Sequence, residues 1–136
     1  MRPEHRLIMS QSTPQKPPFA PARVLPLPGG GKLIFCSGLT ARGSAAEGGP
    51  VEAQAEECLA RLGRTLAAEG ATLADLLKIN TWLSDMRHYA GFDAARRRAF
   101  AAFATPPAST CVGGAQFTTT GCVIEIEGIA VLAGSA

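Results

Sequence analysis

An α+β fold is the class this sequence predicts: a single domain with two helices packed on one face of a mixed sheet, in the order β-β-α-β-α-β-β. Three observations carry it. Short apolar stretches flank a Pro-Gly turn near the N-terminus. Apolar residues recur at helical spacing over residues 51–69 and 89–103, and at two-residue spacing over residues 77–83 and 122–131.

The elements follow in order. Residues 1–18 are polar and proline-punctuated and read as a flexible arm ahead of a domain at 19–136, with either Met1 or Met9 as the start. Ala22–Leu27 and Lys32–Ser37 are joined by Pro28-Gly29-Gly30-Gly31, a hairpin. In residues 51–69, Ala55, Leu59, Leu62 and Leu66 fall at steps of four, three and four, and Gly70 is the stop. Thr72 and Asp75 mark a turn, after which Leu77, Ile79, Thr81 and Leu83 alternate with Lys78, Asn80 and Trp82. Tyr89, Phe92, Ala95, Ala99, Phe100 and Phe103 stripe a second helix as core, which Thr105-Pro106-Pro107 ends. Two strands close the chain, around Thr110–Ala115 and Cys122–Val131. In the last, Ile124, Ile126, Gly128 and Ala130 share one face, and Val123, Glu125, Glu127, Ile129 and Val131 the other. Helices on one side only leave the second sheet face to be covered, and self-association is the economical cover.

The bulk numbers exclude several classes. The 136 residues suffice for one core without disulfides or metal. A net charge of +2 is too small to imply a polyanion partner. No apolar run approaches the roughly 18–20 residues of a membrane span, and no signal-peptide core follows the early arginines, so a cytoplasmic location is expected. Cys36, Cys58, Cys111 and Cys122 form no Cys-x-x-Cys pair and His5 and His88 stand alone, which argues against a structural zinc site. Reduced thiols packed as small apolar groups are expected instead.

Several stretches then carry a resemblance: Ile34-Phe35-Cys36-Ser37-Gly38 after the hairpin, Ala67-Ala68-Glu69-Gly70-Ala71, Trp82-Leu83-Ser84-Asp85-Met86, and Ile124-Glu125-Ile126-Glu127-Gly128-Ile129-Ala130-Val131. In order and spacing, from about Pro17 to Val131, the chain resembles the RidA/YjgF family of enamine/imine deaminases. The resemblance implies a chorismate-mutase-like domain and a homotrimer with a cleft at each subunit boundary. It also implies cofactor-free hydrolysis of small imines to 2-oxo acids. Glu125 matches the family glutamate, Cys111 the family cysteine, and Ser37-Gly38 the Ser-Gly after the hairpin; Thr110 joins the substrate lining.

The family's carboxylate-binding arginine falls on Ser109. Its usual N-terminal tyrosine aligns with Phe19, and a helix asparagine with Asp93. An arginine fork donates two charge-assisted bonds, each contributing about 1.5–3 kcal/mol, so losing the pair lowers binding by roughly two to four decades. Ser109 offers one neutral bond, and Asp93 at a cleft would repel a carboxylate. The expected substrate is therefore less anionic, or bulkier and more apolar, than a simple 2-imino acid, unless Arg23 or Arg87 substitutes.

Each candidate has a plainer reading. Glu125 is either a base orienting water or an interface carboxylate. Cys111 either lines the site or acts as a nucleophile, and no cation near it in sequence supports a lowered thiol pKa. Trp82 either packs at an interface or stacks a ligand. Arg96-Arg97-Arg98 spreads over about 200° of helix surface, which makes a solvated face rather than a nucleic-acid stripe. The alternative to a hydrolase is a non-catalytic trimer of the same fold that binds a metabolite or a protein.

Overall fold

The central strand of the sheet runs along Ile124–Leu132 and is hydrogen-bonded on both sides, which makes it the spine of the molecule. The computed structural model describes residues 15–135, so most of the expected arm lies outside the described residues; residues 15–21 carry no helix or strand. The strands are β1 (Ala22–Pro26), β2 (Lys32–Leu39), β3 (Leu76–Leu83), β4 (Ala108–Val112) and β5 (Ile124–Leu132), and the helices α1 (Val51–Ala67) and α2 (Tyr89–Phe100). Sheet order is β1-β2-β5-β3-β4. Only β3 and β4 run parallel, across the α2 crossover, and the other pairs are antiparallel. The α+β class and the element order agree with those read from the sequence.

Alternation in β5 is as expected. Ile124, Ile126 and Ala130 are fully buried, while Glu125, Glu127 and Ile129 are half-buried on the opposite face. The buried side meets Ala55, Cys58, Leu59, Leu62 and Leu66 of α1 and Phe92, Ala95 and Phe100 of α2 in one cluster. Deep burial pushes the Cys58 thiol up to about 12, so it packs as an apolar group. Helix α1 stops where Gly70 turns into the left-handed region (φ 81°) and the Ala71 N–H returns to the Leu66 carbonyl at 3.0 Å.

Two expectations need correction. Leu77 is not a core residue: a register shift between Leu76 and Lys78 inserts one residue, so Leu76 is buried and Leu77 is 51% exposed. Tyr89 is not core either; it is an exposed residue at the start of α2, and its hydroxyl accepts a hydrogen bond from Arg96. The remaining boundaries move by a few residues, with β4 starting earlier than expected, at Ala108. No described helix is long and apolar enough to cross a membrane.

Gln54 is a buried polar group that the sequence reading passed over. Its amide nitrogen donates to the Gly49 and Gly121 carbonyls at 3.1 and 2.9 Å, and its oxygen accepts from the Val123 N–H at 3.0 Å. These bonds tie the loop before β5 to the start of α1. Gln54→Leu strands the Gly49 carbonyl and the Val123 N–H and leaves the Gly121 carbonyl only its bond from the Gly48 N–H, and a stability loss of about 2–4 kcal/mol is expected in urea unfolding, with faster amide exchange at Val123. A loss under about 0.5 kcal/mol would mean that the loop is held by other contacts.

Candidate functional site

The pleat of the sheet sorts the candidate residues. Ser109 and Cys111 pair in register with Ile79 and Thr81, whose side chains are buried under the helices, so both point to the helical side. Thr110 pairs with Asn80 and points to the open side, where its hydroxyl accepts from Lys78 Nζ at 2.7 Å. Glu125 pairs with Trp82, also on the open side. Within one chain the sheet stands between Glu125 and the Ser109–Cys111 pair.

On the helical side, Arg96 of α2 reaches Ser109. Its Nη1 donates to Ser109 Oγ at 2.9 Å, its Nη2 to Tyr89 Oη at 2.9 Å and to Asp93 Oδ1, and its Nε to Asp93 Oδ1 at 3.1 Å. The guanidinium also lies 4.6 Å from the Phe92 ring centroid, within cation–π range. Asp93 Oδ2 accepts from Arg97 Nε at 2.7 Å. Its carboxyl is held below the usual range by these hydrogen bonds, that from Arg97 first and those from Arg96 next. Asp93 is therefore no bare repulsive charge; two arginines neutralise it. A cavity of about 450 Å³ opens here, with Asp93, Arg96, Arg97 and Ser109 as its polar wall and Phe100, Pro106 and Pro107 as its apolar one. Cys111 is half-buried beside it. Burial raises its thiol pKa, and the Arg96 charge pulls it partly back. Cys111 packs against the hydrophobic core and is not among the residues lining either cavity, and a raised thiol pKa does not favour a nucleophile.

On the open side, Glu125 and Glu127 share a cavity of about 230 Å³ with Gly38, Trp82, Gln116 and Phe117. Asn80 Nδ2 donates to Glu127 Oε1 at 3.3 Å, whereas no hydrogen-bond donor reaches the Glu125 carboxylate among the described residues. Burial, then the neighbouring Glu127 charge, raises the Glu125 pKa above the ordinary carboxylate value. Gly38 makes room for it, since a β-carbon there would overlap the Glu125 carboxylate. Ser37 serves as a fastener: its hydroxyl donates to the Ala20 carbonyl at 2.6 Å and its N–H to the Pro21 carbonyl at 2.9 Å. That pins the segment carrying Phe19, which is 66% exposed and touches neither cavity's lining.

Comparison with known proteins decides the family. The family model described as Endoribonuclease L-PSP matches residues 28–132. The chain belongs to that family, the YjgF/RidA group. Solved structures agree. NMB1025 of Neisseria meningitidis, a YjgF protein family member, is 30% identical over 76% of this chain and 82% of that one, with a TM-score of 0.66. Rv2704 of Mycobacterium tuberculosis, a member of the YjgF/YER057c/UK114 family, is 26% identical over 82% and 85%, with a TM-score of 0.68. TM0215 of Thermotoga maritima is 27% identical over 87% and 89%, with a TM-score of 0.74. No curated protein sequence matches the chain significantly.

For a YjgF-family chain, the arrangement around Ser109 is the unexpected feature. Within one chain neither Arg87 nor Arg23 reaches Ser109: Arg87 is exposed and tied to Asp85 at 3.0 Å, and Arg23 pairs with Phe35 on the open face. Arg96 was read as one of three surface arginines. The overlooked signal was helical spacing, since Tyr89, Asp93 and Arg96 stand at i, i+4 and i+7 on one face. Arg98 pairs with Glu52 at 2.6 Å and with Glu56, so all three arginines of the run have acidic partners.

The Glu125 environment has a pH signature. A carboxyl whose folded pKa is raised is uncharged over a wider range, so its ionisation removes stability as pH rises from the ordinary carboxylate range through the folded value. Carbon-13 NMR of the side-chain carboxyl is expected to show Glu125 titrating above the usual glutamate range, and Glu127→Gln to lower that midpoint. An unmoved midpoint would assign the shift to burial alone.

Proposed function

We propose that this YjgF/RidA-family chain is a cofactor-free hydrolase of small imines or enamines, working at clefts between the copies of a homotrimer. The observation that carries this reading is the opposition of the two half-sites. The Glu125 side and the Ser109–Cys111 side lie on opposite faces of one sheet, so they can act together only when a second copy brings its Glu125 face to the Ser109 face of the first. The open sheet face, with Phe35 and Val112 about half exposed, supports burial against another copy.

The chemistry follows from the groups available. Glu125, with no hydrogen bond of its own, takes a proton from a water that adds to the imine carbon. Returning that proton to the nitrogen gives a neutral carbinolamine; Glu125 then carries the hydroxyl proton to the nitrogen as the C–N bond breaks, so that ammonia leaves and the carbonyl forms. A raised pKa brings the carboxylate nearer to the operating pH, where a base is most effective. Ser109 in place of arginine re-aims the site towards a bulkier, more apolar substrate than a small 2-imino acid, which the apolar wall of Phe100, Pro106 and Pro107 supports. RNA cleavage, which the family description suggests, has less support, because Arg96, Arg97 and Arg98 are already engaged by carboxylates.

Complementation tests the shared site. Glu125→Gln and Ser109→Trp should each abolish hydrolysis of freshly generated 2-imino acids with apolar side chains. Co-refolded in equal amounts, the two inactive variants should recover about a quarter of wild-type activity, since one boundary in four joins two intact halves. Full activity in Glu125→Gln would remove Glu125 from the chemistry, and ligand binding by a wild type that hydrolyses none of these imines would instead favour a non-catalytic binding module.

A further inference from the structure

We infer that Arg96 and Ser109 together form the anion anchor of the helical-side cavity, so the site takes a monocarboxylate with an apolar tail despite lacking an arginine at position 109. The inference rests on the substrate-binding role proposed for that cavity and adds the residues and the charge class.

A hydrogen-bond count carries it. A guanidinium has five N–H donors. In Arg96, Nε is spent on Asp93, the two Nη2 hydrogens on Asp93 and Tyr89, and one Nη1 hydrogen on Ser109. One Nη1 hydrogen remains. Ser109 accepts from Arg96 through its oxygen, which leaves its own hydroxyl hydrogen without an acceptor among the described residues. The two spare donors sit on atoms 2.9 Å apart, both lining the cavity. That separation suits the two oxygens of one carboxylate, much as the two arms of an arginine fork do.

Charge and rigidity point the same way. Arg96, Arg97 and Asp93 sum to one net positive charge on the polar wall. The Arg96 side chain is only 18% exposed, held by the Asp93 carboxylate, the Tyr89 hydroxyl and the Phe92 ring, so little conformational entropy remains to be lost on binding. Asp93 is a positioning residue in this arrangement. Phe100, Pro106 and Pro107 give the tail an apolar seat.

Calorimetry on the full chain tests this with two probes alike in shape, 4-methyl-2-oxopentanoate and the neutral ketone 4-methylpentan-2-one. Wild type is expected to prefer the oxo acid by at least about tenfold, the worth of one charge-assisted bond. Arg96→Met and Arg96→Gln should erase that preference by weakening oxo-acid binding at least about tenfold more than ketone binding, and Ser109→Ala should narrow it. Ser109→Ala leaves the Arg96–Asp93 pair intact, so it remains informative if the Arg96 variants fold poorly. Failure of wild type to bind the oxo acid, equal affinity for the two probes, or a preference that survives these substitutions would overturn the anchor. An Arg96-dependent preference without imine hydrolysis would uphold the anchor and sink the hydrolase reading. Hydrolysis with a preference indifferent to Arg96 would do the reverse.

Discussion

Strand β5 is hydrogen-bonded to β2 on one side and β3 on the other, and it can satisfy its backbone only while its register with both is kept. That register is fixed by Ile124, Ile126 and Ala130, which must face the helices, because a slip of one residue would carry Glu125 and Glu127 into the core. The rest of the site geometry descends from this constraint. It holds Glu125 opposite Trp82 on the open face and, through β3, sets the phase of β4, so that Ser109 and Cys111 face α2. A fold whose core depends on one side of a sheet thereby divides its polar residues between two sides.

This division gives the two half-sites different electrostatic characters. On the open side, two carboxylates crowd together with little hydrogen bonding, and burial favours the protonated form of Glu125. On the helical side, three charged groups are compensated within the chain, and the excess is positive. A carboxylate that accepts protons and a wall that accepts an anion are complementary, yet one chain keeps them apart. Gln54 matters to both, because it anchors the loop through Gly121 and Val123 just before Glu125 enters the sheet.

Much of the fold was legible in the sequence because it rests on period. The alternation in residues 123–131 and the four-three-four spacing in α1 report which side is buried, and burial is what the structure delivers. Leu77 misled because alternation carries no mark of an inserted residue, and the shift at Leu76/Lys78 is visible only when β3 is laid against β5. The site was legible in part for the same reason. Glu125, Ser109 and Cys111 were found by position along strands, whereas Arg96 was missed because its partner Ser109 is 13 residues away, across a crossover whose geometry no local spacing encodes.

Serine at position 109, where the family resemblance implies an arginine, has a clear role in three dimensions. A longer side chain on β4 here would crowd Arg96, which fills the space between α2 and Ser109. Serine removes that conflict: its short side chain leaves room for Arg96 to approach from α2, and its oxygen gives Nη1 an acceptor. The cation at this wall stands on a helix and is compensated, with Asp93 lowering its net attraction for anions and Phe92 and Tyr89 fixing its plane. A compensated guanidinium binds a carboxylate less tightly than a bare one, so more of the binding energy must come from the tail. The apolar wall of Phe100, Pro106 and Pro107 is where that energy is available.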